Sequence, residues 1–169
     1  LISTTGYTSR ELYQIRSEYN LKKGKDFYMV GGMGHSSMVA LGTSLQTNKQ
    51  IICLDGDGSM IMHLGSLTNI GYSAKKNYKH ILLNNFCHES VGGQKTVAEN
   101  LNFQKLSIGA GYKKYFYLNE QKKVNKMLKK FLFSQGPCLL EVAIKQEVMR
   151  KLVRPKNLIK LKNQFMRKV

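Results

Sequence analysis

Residues Leu54–Gln94 read LDGDGSMIMHLGSLTNIGYSAKKNYKHILLNNFCHESVGGQ, with a Gly-Asp-Gly turn at Gly56–Gly58 and an Asn-Asn pair at Asn84–Asn85. The apolar run Ile51–Leu54 leading into the turn predicts a buried strand. Met60, Leu64, Leu67 and Ile70 then recur at helical spacing to about Ala74, and His80–Leu83 is a further strand that ends at the asparagines. Glycines on both sides of Asp57 let a ligand approach the main chain, and a helix opening at a strand end offers backbone N–H groups to a phosphate. The Asp57 carboxylate suits a divalent cation. Mg²⁺ takes oxygen ligands and commonly uses one or two protein side chains with phosphate oxygens and water. The amide oxygen of Asn85, 28 residues beyond Asp57, completes such a set. Asp57, Asn85, Mg²⁺ and a diphosphate thus form one consistent site. Taken singly, Gly-Asp-Gly is equally an ordinary tight turn, and Asn-Asn the start of a polar loop.

Working outward, Thr8 and Glu11 have capping-box spacing, Leu12, Ile15 and Tyr19 follow on one helical stripe, and Gly24 is a plausible stop. Phe27–Val30 predicts a strand, Gly31–Ser37 a glycine-rich turn, and Met38–Leu45 a buried helix. Beyond the asparagines, Phe86–Thr96 is polar and carries glycines, which predicts a loop at the carboxyl end of a strand, where open α/β sheets bind ligands. A helix over Phe103–Ala110, a strand at Tyr115–Tyr117, a helix within Glu120–Phe133 and a last strand at Leu139–Ile144 complete the pattern. Strands alternate with helices throughout. The expected fold is α/β: a doubly wound, mainly parallel sheet with helices on both faces, in a single domain over residues 1–169. The basic segment 145–169, with Leu158, Leu161 and Phe165 spaced for a short helix, is expected to pack on that domain.

Composition narrows the classes. The chain has 169 residues and a formal charge of +17, with no apolar run long enough to span a membrane. Lys122, Lys123, Lys126, Lys129 and Lys130 surround the apolar stripe Val124, Met127, Leu128 and Phe131, so they read as a solvated helix face. No RNP-type strand or zinc finger accompanies the charge, which by itself is a weak argument for nucleic acid. A basic module binding polyanions in general stays open. Cys53, Cys87 and Cys138 are odd in number and lack a CxxC pattern, as expected of reduced thiols in the cytoplasm. A start at Leu1 without a leader fits a processed chain or a piece of a longer one.

The span from Gly-Asp-Gly to Asn-Asn resembles the diphosphate motif of the thiamine diphosphate enzymes. Gly31–Gly42 (GGMGHSSMVALG), LDGDGSM and HILLNNFCHESVGGQKTV, with STTGYTSRELYQIR near the start and Arg154-Pro155 near the end, resemble the phosphonopyruvate decarboxylases over nearly the whole chain. Sulfopyruvate decarboxylase β subunits share the core motifs. The resemblance implies thiamine diphosphate and Mg²⁺ as cofactors, with the metal held by Asp57, Asn85 and the backbone carbonyl of Cys87. It implies diphosphate contacts from Gly56, Gly58, Ser59 and Met60. Gly31 would face the aminopyrimidine, with Gly34 in the same turn, and Met33 would support the bent cofactor. Gly32 stands where the family commonly has Ser, and Phe86-Cys87 where small residues are common.

The implied reaction is decarboxylation of a 2-oxo acid carrying a second anionic group. His35 and His88, in motif loops beside the expected cofactor, are the candidate catalytic proton carriers. Glu89, Ser90 and Gln94 are further candidates to touch substrate, whereas His63 and His80 are placed inside a helix and at a strand edge. In this family the glutamate that activates the cofactor belongs to a separate pyrimidine-binding domain or α subunit. The chain holds no such domain, so it is expected to depend on that partner. A cofactor-binding subunit without catalysis, an acetolactate synthase-like subunit and an oxo-acid oxidoreductase subunit are the other readings.

Overall fold

A computed structural model describes residues 1–21, 25–147 and 151–169. The expected helix stop at Gly24 and the basic Arg150 lie outside the described residues. In chain order the elements are β1 (Ile2–Ser3), α1 (Tyr7–Glu18), β2 (Phe27–Tyr28), α2 (Ser36–Gln46), β3 (Ile51–Gly56), α3 (Asp57–Met62), α4 (Ser66–Ser73) and β4 (Tyr78–Asn84). They continue with β5 (Cys87–His88), β6 (Gln94–Lys95), α5 (Phe103–Gly109), β7 (Lys114–Leu118), α6 (Val124–Phe133), β8 (Cys138–Ala143) and α7 (Leu158–Met166). Six strands form one parallel sheet in the order β2-β1-β3-β4-β8-β7. The expected α/β fold with a mainly parallel sheet is the observed one.

Alternation along the central strands sorts side chains onto two covered faces. Cys53, Tyr78, Leu82 and Leu139 join Ala40 and Leu41 of α2, Ile70 of α4, Phe103 of α5 and Phe165 of α7. Ile52, Leu54, Ile81, Leu83 and Leu140 face the other way, against Val124, Met127, Leu128 and Phe131 of α6. The lysines of α6 accordingly stay exposed. Phe165 meets Phe27 edge-on at 5.6 Å, which fixes α7 beside β2.

Four sequence expectations need correction. The helix assigned to the Thr8–Glu11 capping box begins at Tyr7, with Gly6 at its N-cap and no side-chain cap. Thr8 therefore lies inside α1. The strand expected over Phe27–Val30 covers only Phe27–Tyr28. The single helix expected to reach Ala74 is broken after Met62: His63 leaves the helical path with φ −130°, and its Nδ1 donates to the Gly34 carbonyl at 3.1 Å. The loop Phe86–Thr96 contains an antiparallel hairpin of β5 and β6.

Helix α4 crosses α5 without space for a side chain: a Cβ on Gly71 would stand 1.7 Å from the Ala110 carbonyl oxygen. Backbone on both sides cannot yield cheaply. Gly71→Ala is expected to destabilise the fold by about 1–3 kcal/mol, seen as a lower urea midpoint at unchanged slope. An unchanged midpoint would show that the two helices separate freely.

Candidate functional site

Parallel strands end at a common edge, and that edge holds a cleft of about 380 Å³. Thr4 and Thr5 after β1, Gly56–Ser59 after β3, Asn85 and Cys87–Ser90 after β4, and Ile144 and Lys145 after β8 line it. Tyr7, Thr8 and Glu11 of α1 close one side. Strand order reverses between β1 and β3, so the cleft lies at the topological switch point where open α/β sheets bind ligands.

Asp57 is the most confined of the polar groups here, at 2% exposure. Burial pushes its carboxyl above the usual carboxylate range, while the Thr96 hydroxyl, the Gly58 and Asp57 amides and nearby His88 pull it back. Thr96 donates to Asp57 Oδ2 from just beyond β6, so the hairpin is fastened to the metal-binding candidate. Gly58 lies against the His88 ring: a Cβ there would stand 2.3 Å from His88 Cε1, so the ring would have to shift. His88 is thereby stacked directly over the turn.

Asn84 and Asn85 divide the work by strand alternation. Asn84 is buried and donates to Glu141 Oε1 at 2.9 Å, within the sheet. Asn85 faces the cleft, its Nδ2 donating to Glu89 Oε2 at 2.8 Å and its Oδ1 accepting from the Cys87 amide at 3.1 Å. Those bonds orient the amide and leave Oδ1 one lone pair. Phe86 adopts φ +59°, the left-handed conformation that glycine adopts freely, at a cost of about 1–2 kcal/mol. This is a physical reason for small residues at that position in the resembling family. Phe86 keeps the turn closed by donating its amide to Asn84 Oδ1 at 3.2 Å.

Ser59 ties three loops together: its Oγ accepts from Thr4 Oγ1 at 2.8 Å and from the Gly34 amide at 3.0 Å. Gly34 lies beneath the cleft, and Gly31, whose amide donates to Thr5 Oγ1 at 3.0 Å, lines a smaller adjoining cavity. Met33 lines both cavities. Met60 points into the core at 2% exposure, which leaves only its main chain for a ligand. His35 is exposed and outside the cleft lining, with Nδ1 3.1 Å from the Met33 carbonyl and its ring 5.1 Å from that of His63. The structure thus brings together Met33, Gly56, Asp57, Gly58, Ser59, Asn85, Cys87 and His88, and sets His35 apart. His63 falls between α3 and α4 rather than inside a helix, and His80 is wholly buried in a central strand rather than at an edge.

Sequence reasoning missed Thr96, Glu11 and the floor of the site. Burial, then the Glu89 charge, raises the Glu11 carboxyl above its ordinary range. Below Asp57, Asp55 Oδ1 accepts from the Gly56 amide at 3.0 Å, Asp55 Oδ2 lies 3.4 Å from His80 Nε2, and Tyr112 Oη lies 2.9 Å from His80 Nδ1. The i, i+2 spacing of Asp55 and Asp57 was the available signal for the floor. Nothing in the sequence joins Glu11 or Thr96 to the turn.

The donor set fits Mg²⁺ and a diphosphate. Asp57, the Asn85 amide and the Cys87 carbonyl are hard oxygens, as Mg²⁺ requires. At Gly56 there is open space where a Cβ would stand, so the backbone is bare toward the cleft. No side chain of the N-cap residue bonds the start of α3, which leaves the first-turn N–H groups beyond those facing the Asp57 carboxyl to a bound anion.

Residues 4–142 match the family model described as "Thiamine pyrophosphate enzyme, C-terminal TPP binding domain", and the chain belongs to that family. It is 36% identical to the phosphonopyruvate decarboxylase of Streptomyces viridochromogenes over 92% of this chain and 38% of the relative. The sulfopyruvate decarboxylase subunit beta of Methanocaldococcus jannaschii is 38% identical over 66% of this chain and 57% of its own. The chain spans about two fifths of the length of the phosphonopyruvate decarboxylases it matches. An X-ray structure from Mycobacterium smegmatis, described as a thiamin diphosphate-dependent enzyme, shares the fold with TM-score 0.56 at 18% identity, over 84% of this chain and 33% of that one. No helix among the described residues is long and apolar enough to cross a membrane.

A carboxyl whose folded-state pKa is raised favours the protonated form, so its burial costs nothing in acid and destabilises as pH rises through that pKa. Asp57→Asn removes this cost. In metal-free buffer the variant is expected to have a higher urea midpoint than wild type at pH 7.5, the gap closing toward about pH 3.5. A gap independent of pH would mean that the carboxylate is not strained by burial.

Proposed function

We propose that this chain is the diphosphate-binding half of a thiamine diphosphate- and Mg²⁺-dependent decarboxylase that converts phosphonopyruvate to phosphonoacetaldehyde and CO2. The observation that carries this reading is the meeting of Asp57, Asn85, Cys87 and the Gly56–Gly58 turn, its backbone bare at Gly56, in one cleft at the carboxyl edge of the sheet. The similarity to phosphonopyruvate decarboxylase over 92% of the chain supports the substrate. Asp57, the Asn85 amide and the Cys87 carbonyl would hold Mg²⁺. Gly56, Gly58, Ser59 and the Met60 main chain would meet the diphosphate, with Gly31, Met33 and Gly34 on the pyrimidine side.

Bound thiamine diphosphate supplies an electron sink that accepts the pair released with CO2. The chain's own task is positioning and proton handling. Met33 stands between the two cavities and would set the shape of what lies across them. His88, over the Gly58 turn, would carry a proton at a ring nitrogen to or from the reacting carbon. Glu89 fixes the Asn85 amide and, after burial, adds to the upward shift of the Glu11 carboxyl. His35 reaches the chemistry only if a partner brings the reaction to its side.

The activating glutamate is assigned to a pyrimidine-binding α subunit or domain, so the chain alone would be inactive, and the assembled enzyme would work in the cytoplasm. Similarity to sulfopyruvate decarboxylase subunits beta supports sulfopyruvate as the second reading of the substrate, and their subunit naming supports a separate partner chain.

Two measurements test the assignment. Calorimetry with thiamine diphosphate and Mg²⁺ is expected to show binding that Asp57→Ala abolishes, and undiminished binding would remove the site. Adding a pyrimidine-binding partner is expected to start CO2 release from phosphonopyruvate. Release from sulfopyruvate alone would transfer the assignment to the second substrate, and release from neither acid would leave a cofactor-binding subunit without catalysis.

A further inference from the structure

The cleft and its smaller neighbour carry opposite charge. Among the described residues, Glu11, Asp57, Glu89 and Glu147 line the cleft with Lys145 as the one full cation, whereas the adjoining cavity of about 210 Å³ has Arg10 and Arg154 and no acid in its lining. Thr5, Met33 and Ser90 belong to both linings, so the cavities share a wall. Resting on the decarboxylase reading above, we propose that this annex seats the second anionic group of the 2-oxo acid, a tetrahedral phosphonate or sulfonate, between Arg10 and Arg154.

Acidic walls serve a divalent cation and a cationic ring, and a Mg²⁺ held there would be matched by the cofactor's own diphosphate, which leaves Lys145 alone among the described residues to meet a second dianion. A substrate with two acids is therefore best placed astride the shared wall, its ketone in the cleft and its tetrahedral oxyanion in the basic annex. Guanidinium groups suit that task because they present paired donors in a plane and do not deprotonate. Among the described residues neither arginine forms an ion pair, so both charges are available. Both are also held in place. Ser9, beside Arg10, is buried and donates to the Met29 carbonyl at 3.0 Å, and Arg10 lies over the Tyr7 ring at 5.5 Å. Pro155, next to Arg154, is buried while the arginine remains exposed.

Methylphosphonate and methanesulfonate are the probes for the chain, followed by nuclear magnetic resonance of its labelled amides. Saturable shifts are expected at Ser9, Gly31 and Val91, weakened about 10- to 100-fold in Arg10→Gln and Arg154→Gln, with Arg10→Lys retaining part of the binding. Whichever probe binds more tightly identifies the oxyanion. Thermal melts establish that the variants are folded. In the enzyme assembled with its partner, thiamine diphosphate and Mg²⁺, the same variants are expected to lose their preference for the dianionic acid over pyruvate by a similar factor, mainly through KM. Shifts confined to the Asp57 cleft, or unaltered in both variants, would overturn the annex. CO2 release with an unaltered KM in both variants would also overturn it and leave the decarboxylase reading standing. Probe binding lost in the variants, with no CO2 release from either acid, would sustain the oxyanion site and defeat the decarboxylase reading.

Discussion

The pairing of β3 with β4 places everything else. Ile51 lies beside Tyr78 and Gly56 beside Leu83, a constant offset of 27 residues along a parallel ladder. Continued past the strand ends, that register brings Asp57 level with Asn84, and the next residue, Asn85, turns toward the cleft. The 28-residue interval between the two candidate ligands is therefore a sheet register written into the sequence. Parallel neighbours need a crossover of a dozen or more residues, and α3 with α4 supplies it. The interval is fixed by two strand lengths and one helical crossover, which is why so short a motif has such specific structural content.

Burying acids in and beside the sheet demands partners, and each partner here comes from a neighbouring strand or loop. Asp55 is met by the Gly56 amide and His80, Glu141 by Asn84 and the Tyr115 hydroxyl, and Asp57 by Thr96. Unpaired, any of these would carry a large desolvation cost. The same bonds that meet that cost hold the hairpin, the Asn-Asn turn and the β3 turn in one geometry. Ser59 extends the network to the loops after β1 and β2 through Thr4 and Gly34. Site preorganisation and fold stability are thus carried by the same hydrogen bonds.

What could be read from sequence followed the range of the signal. Ile51–Leu54, Ile81–Leu83 and Leu139–Leu140 are apolar because both faces of the sheet are covered, and they identified the central strands. β1 has two residues and no pattern of its own, so Thr4 and Thr5, which follow it into the cleft, were invisible. The hairpin of β5 and β6 lacks flanking apolar alternation: both residues of β6 are exposed, and a polar loop was the natural inference. Thr8 and Glu11 have capping-box chemistry, but Gly6 starts the helix and both residues line the cleft. The candidate metal ligands were legible because they sit at the ends of elements that local pattern defines. Glu11 and Thr96 depend on how whole elements dock, which no local pattern encodes.

Charge acts at two ranges in this molecule. Its formal charge of +17 is spread over a lysine-rich surface, yet four of its ten acids line one cleft. Beyond a Debye length of about 8–10 Å the individual acids are screened, and an approaching anion meets only the positive mean field. Inside the cleft the balance reverses, and confined carboxylates act on whatever touches them. A basic exterior favours encounter with diphosphate and dianionic acids, while an acidic interior favours a metal ion and a cationic ring. Uniform basicity would attract the same ligands but leave the metal without carboxylate ligands. Uniform acidity would hold the metal and repel the rest, so the segregation is what allows one chain to serve both.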